Sequence, residues 1–425
     1  MSEAHFDALE TRSATEREKD LFTRLPDLVA NAMANCPAQA SRLSGIDPQS
    51  LTSREALASL PVLRKPELME AQRKSPPFGG FVSQQITDVS AGTSVGTGVR
   101  LFMSPGPVWE PQATGPDPWQ VARAMFAAGI RPGDKIHNAL SYHMTPGGFI
   151  MDEGARALGC HVFPAGVGGT EAQVQAANFY QPDVYAGTPD FLKVLLDQAE
   201  AAGTPLKCIK RGLVSGGALF PSMREEYAQR GVAVLQCYAT ADLGVIAYES
   251  VHEGQLQSGM VCNENLIVEI VRPGTDTPVA EGEVGELVVT NFNTDYPLIR
   301  FGTGDLSAIQ TEAGQCGRSN LRIGGWMGRA DQRTKIKGMF VDPKQVDEVV
   351  QAFDGINRAR LLVSRDGSSD TMALHVEAAQ QSDVDVKEVE SAMQKIFNLK
   401  GTVVVSAEAL PNDGLVIVDE RDYDS

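Results

Sequence analysis

The stretch DVYAGTPDFLKVLLDQAEAAG, residues 183–203, decides the fold class. It begins with a short apolar run, and the residues after Pro189 repeat apolar side chains at helical spacing. Thr188 is a suitable N-cap, and Pro189 fits the first turn of the helix. A short strand followed at once by an amphipathic helix is the unit from which parallel sheets are built, so the sequence predicts an α/β fold.

The same alternation continues on both sides of this unit. Strands are predicted in DKIHNALSY, HVFPAG, IKRGLVSGG and VAVLQCYA, and helices in GGFIMDEGARALGC, TEAQVQAANFY and PSMREEYAQRG. This rhythm predicts mixed or parallel sheets flanked by helices. In such sheets, ligands bind beyond the carboxyl ends of the strands.

Two domains are expected from a chain of 425 residues. Residues 1–328 form the large domain, which starts with helices and loops and includes a smaller β-rich subdomain at about residues 262–310. Residues 329–425 follow the order strand, helix, strand, strand, helix, strand, and the first of these strands is QRTKIKG. That order is typical of a small ferredoxin-like α+β domain.

Composition and charge argue against several classes of protein. The net charge of −17 disfavours a broad surface for nucleic acid or anionic membranes. Neither a run of 18 apolar residues nor a cationic and apolar leader is present, so no membrane span and no signal peptide are predicted. The six cysteines lack CxxC spacing, which is typical of free thiols in a reducing cytoplasm. We therefore expect a cytoplasmic protein without nucleic-acid or membrane partners.

The segment SAGTSVGTGVR, residues 90–100, is rich in glycine and hydroxyl residues. Its backbone N–H and side-chain O–H groups could surround phosphate oxygens. It lacks the GxxxxGK[ST] pattern of a P-loop, and a run of this composition is more often an ordinary surface loop. A phosphate site here therefore depends on the support of other motifs.

Two further segments carry aromatic and acidic residues. In LQCYATADLG, residues 235–244, a strand is predicted to end at Tyr238, which could stack on a purine, and Asp242 could hold Mg²⁺ on phosphates. Such residues more often pack in a core or cap a helix.

In YPLIRFGTGDLSAI, residues 296–309, Asp305 is predicted to follow a Gly-Thr-Gly turn, where its carboxylate could accept both hydroxyls of a ribose. An aspartate in a turn without any ligand is the commoner case.

The segment GRADQRTKIKG, residues 328–338, lies at the predicted domain boundary. Arg329 and Asp331 are two residues apart there, and a polar residue at such a junction can absorb the backbone rotation of a moving domain. An ordinary solvated charge pair would explain the same two residues.

The order and spacing of these segments resemble the adenylate-forming superfamily, and most closely its phenylacetate–CoA ligase branch. The similarity covers nearly the whole chain, and its segments include SLPVLRKPELMEAQ, SGGALFPSMREEY, YATADLG, EGEVGELVVTNFNTDYPLIRFGTGD and MGRADQRTKIKG. The resemblance implies an ATP-dependent ligase that works in two steps. A small, aromatic carboxylic acid attacks the α-phosphate of MgATP to give an acyl-adenylate. The small domain then rotates, and the thiol of CoA or of a carrier protein displaces AMP.

The resemblance also implies roles for individual residues. Asp242 is the expected ligand of Mg²⁺, and Asp331 is the expected hinge. Lys337 is a candidate cation of the small domain. These three are the expected catalytic residues. Contacts with the nucleotide are expected from Ser90, Gly92, Thr93, Ser94, Gly216, Gly217, Ala218, Gln236, Cys237, Tyr238, Ala239, Thr240, Asp305 and Arg329. Contacts with the acyl group are expected from Tyr142, His143, Gly147 and Gly148.

The tail LPNDGLVIVDERD departs from the family pattern. It places Leu415 where the family has a lysine that contacts the α-phosphate and the acyl carboxylate. Lys335, Lys337 and Lys400 are candidate replacements for that charge. Loss of such a group typically lowers a rate by about 100- to 1,000-fold.

Two other departures bear on the chemistry. The threonine and glutamate of the family's YGLTE are here Ala241 and Asp242. The positions of a zinc site that some members carry hold Ser250, His252 and Cys316, so no structural zinc is expected.

These departures leave two alternatives to a conventional ligase. One is nucleotidyl transfer without thioester formation. The other is a degenerate protein that binds a nucleotide or an acyl-adenylate without turnover. A homodimer is a further expectation that the resemblance allows.

Overall fold

A computed structural model describes residues 4–87, 99–272, 275–312, 314–330, 332–341, 343–366, 369–378, 384–406, 409–411 and 416–421. The chain divides into two compact units, Met1–Met327 and Gly328–Ser425. Among the described residues, no helix is both long and apolar enough to cross a membrane.

The helices of the first unit include those predicted from the periodicity of the sequence and several that were not predicted. They are α1 (Ala14–Asn35), α2 (Pro37–Arg42), α3 (Arg54–Ala58), α4 (Lys65–Lys74), α5 (Gln84–Thr87), α6 (Val121–Ala127), α7 (Gly147–Ala157), α8 (Thr170–Tyr180), α9 (Pro189–Ala201) and α10 (Pro221–Gln229). Ser13 and Glu16 form a capping box at the start of α1, which satisfies backbone N–H groups there. Thr188 is the N-cap of α9 as predicted, although its side chain makes no capping hydrogen bond.

The strands of the first unit are mostly short. They are β1 (Leu63–Arg64), β2 (Leu101–Ser104), β3 (Val108–Pro111), β4 (Lys135–Asn138), β5 (His161–Pro164), β6 (Val184–Gly187), β7 (Arg211–Val214), β8 (Ala233–Thr240), β9 (Gly244–Tyr248), β10 (Val251–His252), β11 (Gln255–Leu256), β12 (Met260–Cys262), β13 (Leu266–Val271), β14 (Gly285–Asn291), β15 (Phe301–Ser307), β16 (Ile309–Gln310) and β17 (Arg322–Ile323).

Nine of these strands form the central sheet, in the order β16-β17-β12-β9-β8-β7-β6-β4-β5. The five strands from β8 to β5 are parallel, and the others pair antiparallel. Alternate residues of β6 face opposite sides: Val184 and Ala186 pack in a core with α6 and α7, and Tyr185 packs in a core with α9. The predicted α/β fold with helices on a largely parallel sheet is confirmed.

A second sheet has the order β1-β15-β14-β13 and corresponds to the predicted β-rich subdomain. It corrects the expectation for Asp305, because Gly302, Thr303 and Gly304 lie inside β15 and do not form a turn before it. Gly302 packs so closely that a Cβ there would lie 2.6 Å from Glu286 Oε1. Close packing, and not a turn, therefore explains this glycine.

The second unit contains β18 (Thr334–Ile336), β19 (Met339–Val341), α11 (Pro343–Gln351), β20 (Ile356–Asp366), β21 (Ser369–Ala378), α12 (Val386–Phe397), β22 (Thr402–Val405) and β23 (Ile417–Asp419). Its sheet has the order β22-β21-β20-β23, and both helices contribute to its core. The strand predicted in QRTKIKG exists as β18, but it pairs with β19 in a separate hairpin. Lys337 and Gly338 both have positive φ, which suits a two-residue hairpin turn and folds the chain back locally.

The side chain of Arg421 joins the last described residues of this unit to its first hairpin. The guanidinium donates to Thr334 Oγ1 at 3.0 Å, to Lys335 O at 2.8 Å and to Asp370 Oδ2 at 2.9 Å. It also pairs with Asp419 in β23. One buried cation thus links β18, β21 and β23, although β18 and β23 belong to different sheets.

Candidate active site

Three strands of the parallel half are followed by predicted site residues. β4 is followed by the segment with Tyr142, β7 by Gly216, and β8 by the turn with Asp242, while β6 is followed by the helix N-cap Thr188. These strands are neighbours in the order β4, β6, β7, β8. Because parallel strands end on the same side of a sheet, the structure brings these segments to one edge.

The loop after β4 is held by side-chain hydrogen bonds. Asn138, the last residue of β4, donates from Nδ2 to Tyr142 Oη at 2.7 Å and to Gly148 O at 2.8 Å. Tyr142 Oη donates to Asp152 Oδ2 at 2.9 Å, and burial together with the charge of Asp152 raises the pKa of Tyr142. The side chain of Tyr142 is therefore neutral and is held in place by hydrogen bonds, whereas His143 is exposed.

Gly148 is needed where this loop meets α7. Its N–H donates to Ser141 O at 2.6 Å, and a Cβ at this position would lie 2.7 Å from both Ser141 O and Tyr142 Cδ2. We expect Gly148→Ala to lower stability by about 1–3 kcal/mol, the usual cost of overpacking. Gly147→Ala is the matched control for packing, since the nearest atoms to its Cβ would be 3.9 Å away. Equal changes in melting temperature for the two variants would contradict this role.

The segment after β7 presents backbone and very small side chains. Gly216, Gly217 and Ala218 are exposed, and Gly216 has a φ of +73°, which a residue with a side chain rarely adopts. A flat ligand could therefore approach the backbone closely here.

The predicted nucleotide residues of β8 differ in accessibility. The strand continues to Thr240, two residues beyond the predicted end at Tyr238. Gln236 donates from its side chain to Glu249, and Cys237 is buried in the core, where burial raises the pKa of its thiol to about 12. Cys237 could therefore contact a ligand through its backbone only. The half-buried residues after it are Tyr238, Ala239 and Thr240.

Asp305 is held on both sides by aromatic donors. Tyr238 Oη donates to Asp305 Oδ2 at 2.5 Å, and Trp326 Nε1 donates to Oδ1 at 3.1 Å. The structure thus joins the two sequence-predicted residues Tyr238 and Asp305 directly. Each carboxylate oxygen has a second lone pair, so Asp305 can still accept hydrogen bonds from a ligand.

Asp242 forms an ion pair that the sequence did not indicate. Its side chain is fully buried in the turn between β8 and β9, and Lys65 Nζ, at the start of α4, lies 2.9 Å from its Oδ2. Burial alone would lower the pKa of Lys65, but the charges of Asp242, Glu110 and Asp305 outweigh it and raise the pKa above its usual value. Lys65 is therefore an ammonium ion that pairs with Asp242 and is further stabilised by the charges of Glu110 and Asp305.

Glu110 is a second buried acid beside Asp242. It lies in β3 with 2% exposure, and Ser104 provides a hydrogen bond to its carboxyl group. Burial and the charge of Asp242 raise the pKa of Glu110 well above its usual value. Within the described part of the chain, Glu110 Oε1 and the hydroxyl of Tyr296 have no hydrogen-bond partner, and Asp242 has none apart from its ion pair.

Glu110, Asp242 and Tyr296 line one cavity of about 310 Å³, together with Phe102 and Trp119. This volume lies at the lower end of the range for small-molecule sites. The described residues contain no group of three or more His, Cys, Asp or Glu side chains arranged around a metal. Mg²⁺, however, needs only one or two protein carboxylates when it is bound with phosphates and water, and the oxygens of Asp242 and Glu110 fit that requirement.

The second unit holds two further predicted site residues. Arg329 is half-buried, and Lys337 is exposed in the hairpin turn, where its backbone N–H donates to Asp370 Oδ2 at 3.2 Å. Their roles stay predictions. The predicted residues that lie outside the described residues are Ser90, Gly92, Thr93, Ser94, Asp331 and Leu415.

The positions of the family's zinc site include a hydrogen-bonded cluster. Cys316 Sγ lies 3.4 Å from Ser250 Oγ, which accepts a hydrogen bond from Arg322 at 2.9 Å. Burial raises the pKa of Cys316, but hydrogen bonds with Ser250 and Arg318 outweigh it, and the net shift is downward. His252 is half-buried in β10. The absence of zinc stays a prediction.

Lys65, Glu110 and Trp326 are not predicted from the sequence. Lys65 lies in the segment SLPVLRKPELMEAQ, which resembles the family but implies no role for this lysine. Glu110 carries no local signal, since VWEP is an ordinary strand pattern. Only the pairing of distant segments places these residues beside Asp242 and Asp305.

Comparisons with known proteins identify the family of the chain. The chain is 30% identical over 373 residues to a phenylacetate-coenzyme A ligase of Thermus thermophilus, covering 84% of this chain and 80% of the relative. The chain belongs to the phenylacetate–CoA ligase family. A second ligase of the same name, from Pseudomonas putida, is 30% identical over 391 residues, covering 88% of this chain and 84% of the relative. No profile of a protein family matches the chain.

Solved structures show the same fold. A crystal structure of 2-hydroxyisobutyryl-CoA ligase in complex with 2-HIB-AMP and CoA has a TM-score of 0.78 at 24% identity, covering 99% of this chain and 93% of that chain. The amide bond synthetase McbA from Marinactinospora thermotolerans has a TM-score of 0.51 at 14% identity, covering 74% of this chain and 66% of that chain. As a member of this family, the protein is an AMP-forming acid–thiol ligase.

Proposed function

We propose that this family member activates a small carboxylic acid with MgATP as an acyl-adenylate and transfers the acyl group to the thiol of CoA. The observation that carries the proposal is the Lys65–Asp242 ion pair at the edge of the sheet, beside Asp305. A fixed cation here can stabilise the negative charge that develops when the acid attacks the α-phosphate.

The nucleotide would be held mainly by Asp305 and the segments after β7 and β8. Asp305 would accept the ribose hydroxyls, while Tyr238 and Trp326 keep its carboxylate in one orientation. The small residues from Gly216 to Ala218 leave room for a purine ring against the backbone. Arg329 and the segment with Ser90 would complete the site, as the family resemblance implies.

Asp242, with Glu110 near it, would hold Mg²⁺, which supplies neutralising charge for the triphosphate when bound. Lys65 would remain within reach of the reacting phosphate. Since the ammonium group is fixed by Asp242, it would not need to reorganise when charge develops on the phosphate. Release of AMP in the second step would follow rotation about Asp331.

Lys65 offers a reason why the chain tolerates Leu415 where the family has lysine. If Lys65 supplies the required charge, Leu415→Lys should change pyrophosphate release by less than about tenfold, although a missing charge of this kind is worth about 100-fold or more. An increase above tenfold would instead show a conventional ligase with a weakened first step. Lys387→Met, which removes an exposed lysine of the second unit, is a control for general charge effects.

The acid is proposed to be aromatic. A chain of aromatic rings runs from the loop after β4 to the cavity: Tyr142 lies 5.1 Å from Phe149, Phe149 lies 5.5 Å from Phe102, and Phe102 lies 6.0 Å from Trp119, between ring centroids. Such a wall favours a planar ring. The names of the relatives point the same way.

Product analysis tests the function. The protein is incubated with MgATP, CoA and a panel of aryl and short-chain acids, and mass spectrometry follows AMP and thioester separately. Both products are expected from one or more aryl acids. AMP without a thioester would favour nucleotidyl transfer or a carrier protein or amine as acceptor. Nucleotide binding with neither product would favour the degenerate binding protein. A homodimer and a cytoplasmic location stay predictions.

A further inference from the structure

Two residues that line the cavity, Gln120 and Arg24, each carry a buried polar atom that the proposed reaction does not use. Within the described part of the chain, Gln120 Oε1 and Arg24 Nε have no hydrogen-bond partner. The first of these atoms is an acceptor and the second is a donor. A buried polar atom without a partner lowers stability, so a fold that keeps an acceptor and a donor of this kind at one cavity requires an explanation.

The backbone of Gln120 is held in an unusual conformation that leaves its side chain unused by the following helix. Its φ is +58°, its N–H donates to Asp117 O at 2.9 Å, and its carbonyl oxygen accepts from Asn263 Nδ2 at 3.0 Å. The first turn of α6 is capped by the carboxylate of Asp117, which accepts from the N–H groups of Val121 and Ala122 at 2.8 Å. The side chain of Gln120 makes no capping hydrogen bond. Left-handed backbone at residues other than glycine is concentrated at ligand sites, which favours a role in binding for this side chain.

The guanidinium group of Arg24 is fixed by three other contacts. It donates to Asp20 Oδ2 at 2.8 Å and to Asn265 Oδ1 at 3.4 Å, and its central carbon lies 4.4 Å from the centroid of the Phe292 ring. Asn265 lies in the short segment between β12 and β13, from which a second asparagine side chain donates to Gln120 O. The unpartnered donor and the unpartnered acceptor are therefore anchored to the same part of the fold.

We propose that Gln120 and Arg24 are specificity-determining residues that select an aryl acid with a hydroxyl group on its ring. The hydroxyl group would donate to Gln120 Oε1 and accept from Arg24 Nε. A methyl group of similar size could do neither. The inference rests on the proposed function for the aryl acid as the ligand, and it names the substituent that this acid carries.

The other residues that line the cavity suit such an acid. The cavity has a volume of about 310 Å³, and Phe102 and Trp119 provide aromatic surface for a ring. Asp242, the proposed residue for Mg²⁺, lines it as well, so the cavity is continuous with the proposed reaction site. An unsubstituted ring would leave the polar atoms of Gln120 and Arg24 unpaired, and a site with unpaired buried polar groups discriminates strongly against such a ligand.

Binding of matched acids tests this preference without requiring turnover. The unchanged protein is titrated by calorimetry with benzoic and phenylacetic acids that carry hydrogen, methyl or hydroxyl at the ortho, meta or para position. At one or more of these positions, the hydroxyl acid should bind about tenfold or more tightly than the methyl acid, because the methyl group leaves the acceptor and the donor unpaired. Equal affinities of the hydroxyl and methyl acids at every position would overturn the proposal.

Two substitutions assign the preference to these side chains. Gln120→Leu removes the acceptor and should lower the affinity ratio of hydroxyl to methyl acid to less than about threefold. Arg24→Lys keeps the positive charge but removes the Nε–H donor, and it should lower the ratio as well. A folded variant of either kind that keeps the ratio of the unchanged protein would overturn the proposal.

Gln181→Leu and Arg54→Lys are the matched controls. Gln181 also has left-handed backbone, with a φ of +51°, but it is exposed at the end of α8. Arg54 is likewise half-buried and paired with a carboxylate, that of Glu18. Both control variants should keep the affinity ratio of the unchanged protein. Loss of the ratio in the controls as well would show a general effect of such substitutions and overturn the proposal.

Folding and turnover are separated from selection by two further measurements. If the melting temperature shows that Gln120→Leu does not fold, Arg24→Lys decides the test. AMP formation is measured with MgATP, CoA and the same acids. A hydroxyl preference in binding without AMP from any acid supports the selection by Gln120 and Arg24 and contradicts the proposed ligase reaction. AMP formation together with equal affinities for hydroxyl and methyl acids supports the ligase reaction and overturns the selection.

Discussion

Replacing Lys65 by methionine is expected to slow acyl-adenylate formation by about 100- to 1,000-fold, the usual effect of removing one preorganised group that stabilises developing charge. The ammonium group lies 2.9 Å from Asp242 and feels the charges of Glu110 and Asp305, so it is fixed in a largely buried position. Methionine keeps the length and the apolar stem of lysine but has no charge. Pyrophosphate release at saturating ATP measures this step.

The second step provides the internal comparison for Lys65→Met. Thioester formation from synthetic acyl-adenylate and CoA does not require charge at the departing pyrophosphate, and it should fall much less. Lys74→Met is the control variant, because Lys74 is at the other end of α4 and its side chain is 74% exposed. Equal loss of both half-reactions, in a folded variant, would mean that Lys65 supports the structure and not adenylation.

Asp305→Ala is expected to weaken the binding of ATP and AMP by about 2–3 kcal/mol, which corresponds to about 30- to 150-fold in Kd. The change removes two charge-assisted hydrogen bonds to a ribose. It also removes the acceptor of Tyr238 and Trp326, so circular dichroism should confirm that the variant is folded. Titration calorimetry measures the affinity.

Asp197→Ala is the control for this substitution. Asp197 is also paired with cations, Lys193 and Arg230, but it lies on α9 with a side chain that is 45% exposed. Its loss should leave nucleotide affinity unchanged. An Asp305→Ala protein that binds ATP and AMP as tightly as the unchanged protein would remove Asp305 from the proposed site.

The parallel half of the central sheet could be predicted because its information is local. Each strand from β4 to β8 is a short apolar run, and each intervening helix has its own periodicity and turn residues. The carboxyl ends of these strands could therefore be assigned to one edge from the sequence alone. The site roles of the residues after β7 and β8 came from the family resemblance.

The group formed by Lys65, Asp242 and Glu110 could not be predicted, because no local sequence pattern indicates it. Lys65 and Asp242 are far apart in sequence, and their contact depends on how α4 packs near the end of β8. Glu110 is in a strand whose pattern shows nothing unusual. The turn predicted before Asp305 was wrong, since GTGD is typical of turns but here lies inside a paired strand.

In the second unit, the prediction failed where strand pairing was decided by the turn. The segment QRTKIKG looks like a sheet strand, but the backbone at Lys337 and Gly338 pairs it with its immediate neighbour. The place beside β20 is then filled by β23, from the end of the chain. The number and order of the predicted strands do not show which strands pair with each other.

The contacts of Arg421 limit how this small unit can be exchanged between family members. Since one guanidinium joins Thr334, Lys335 O, Asp370 and Asp419, the hairpin and the final strand are a matched pair. A chimera that takes the hairpin from one parent and the last residues from another would separate the guanidinium from the Thr334 and Lys335 acceptors with which it is matched. Crossover points for recombination should therefore lie before Thr334. The hairpin and Arg421 then come from the same parent.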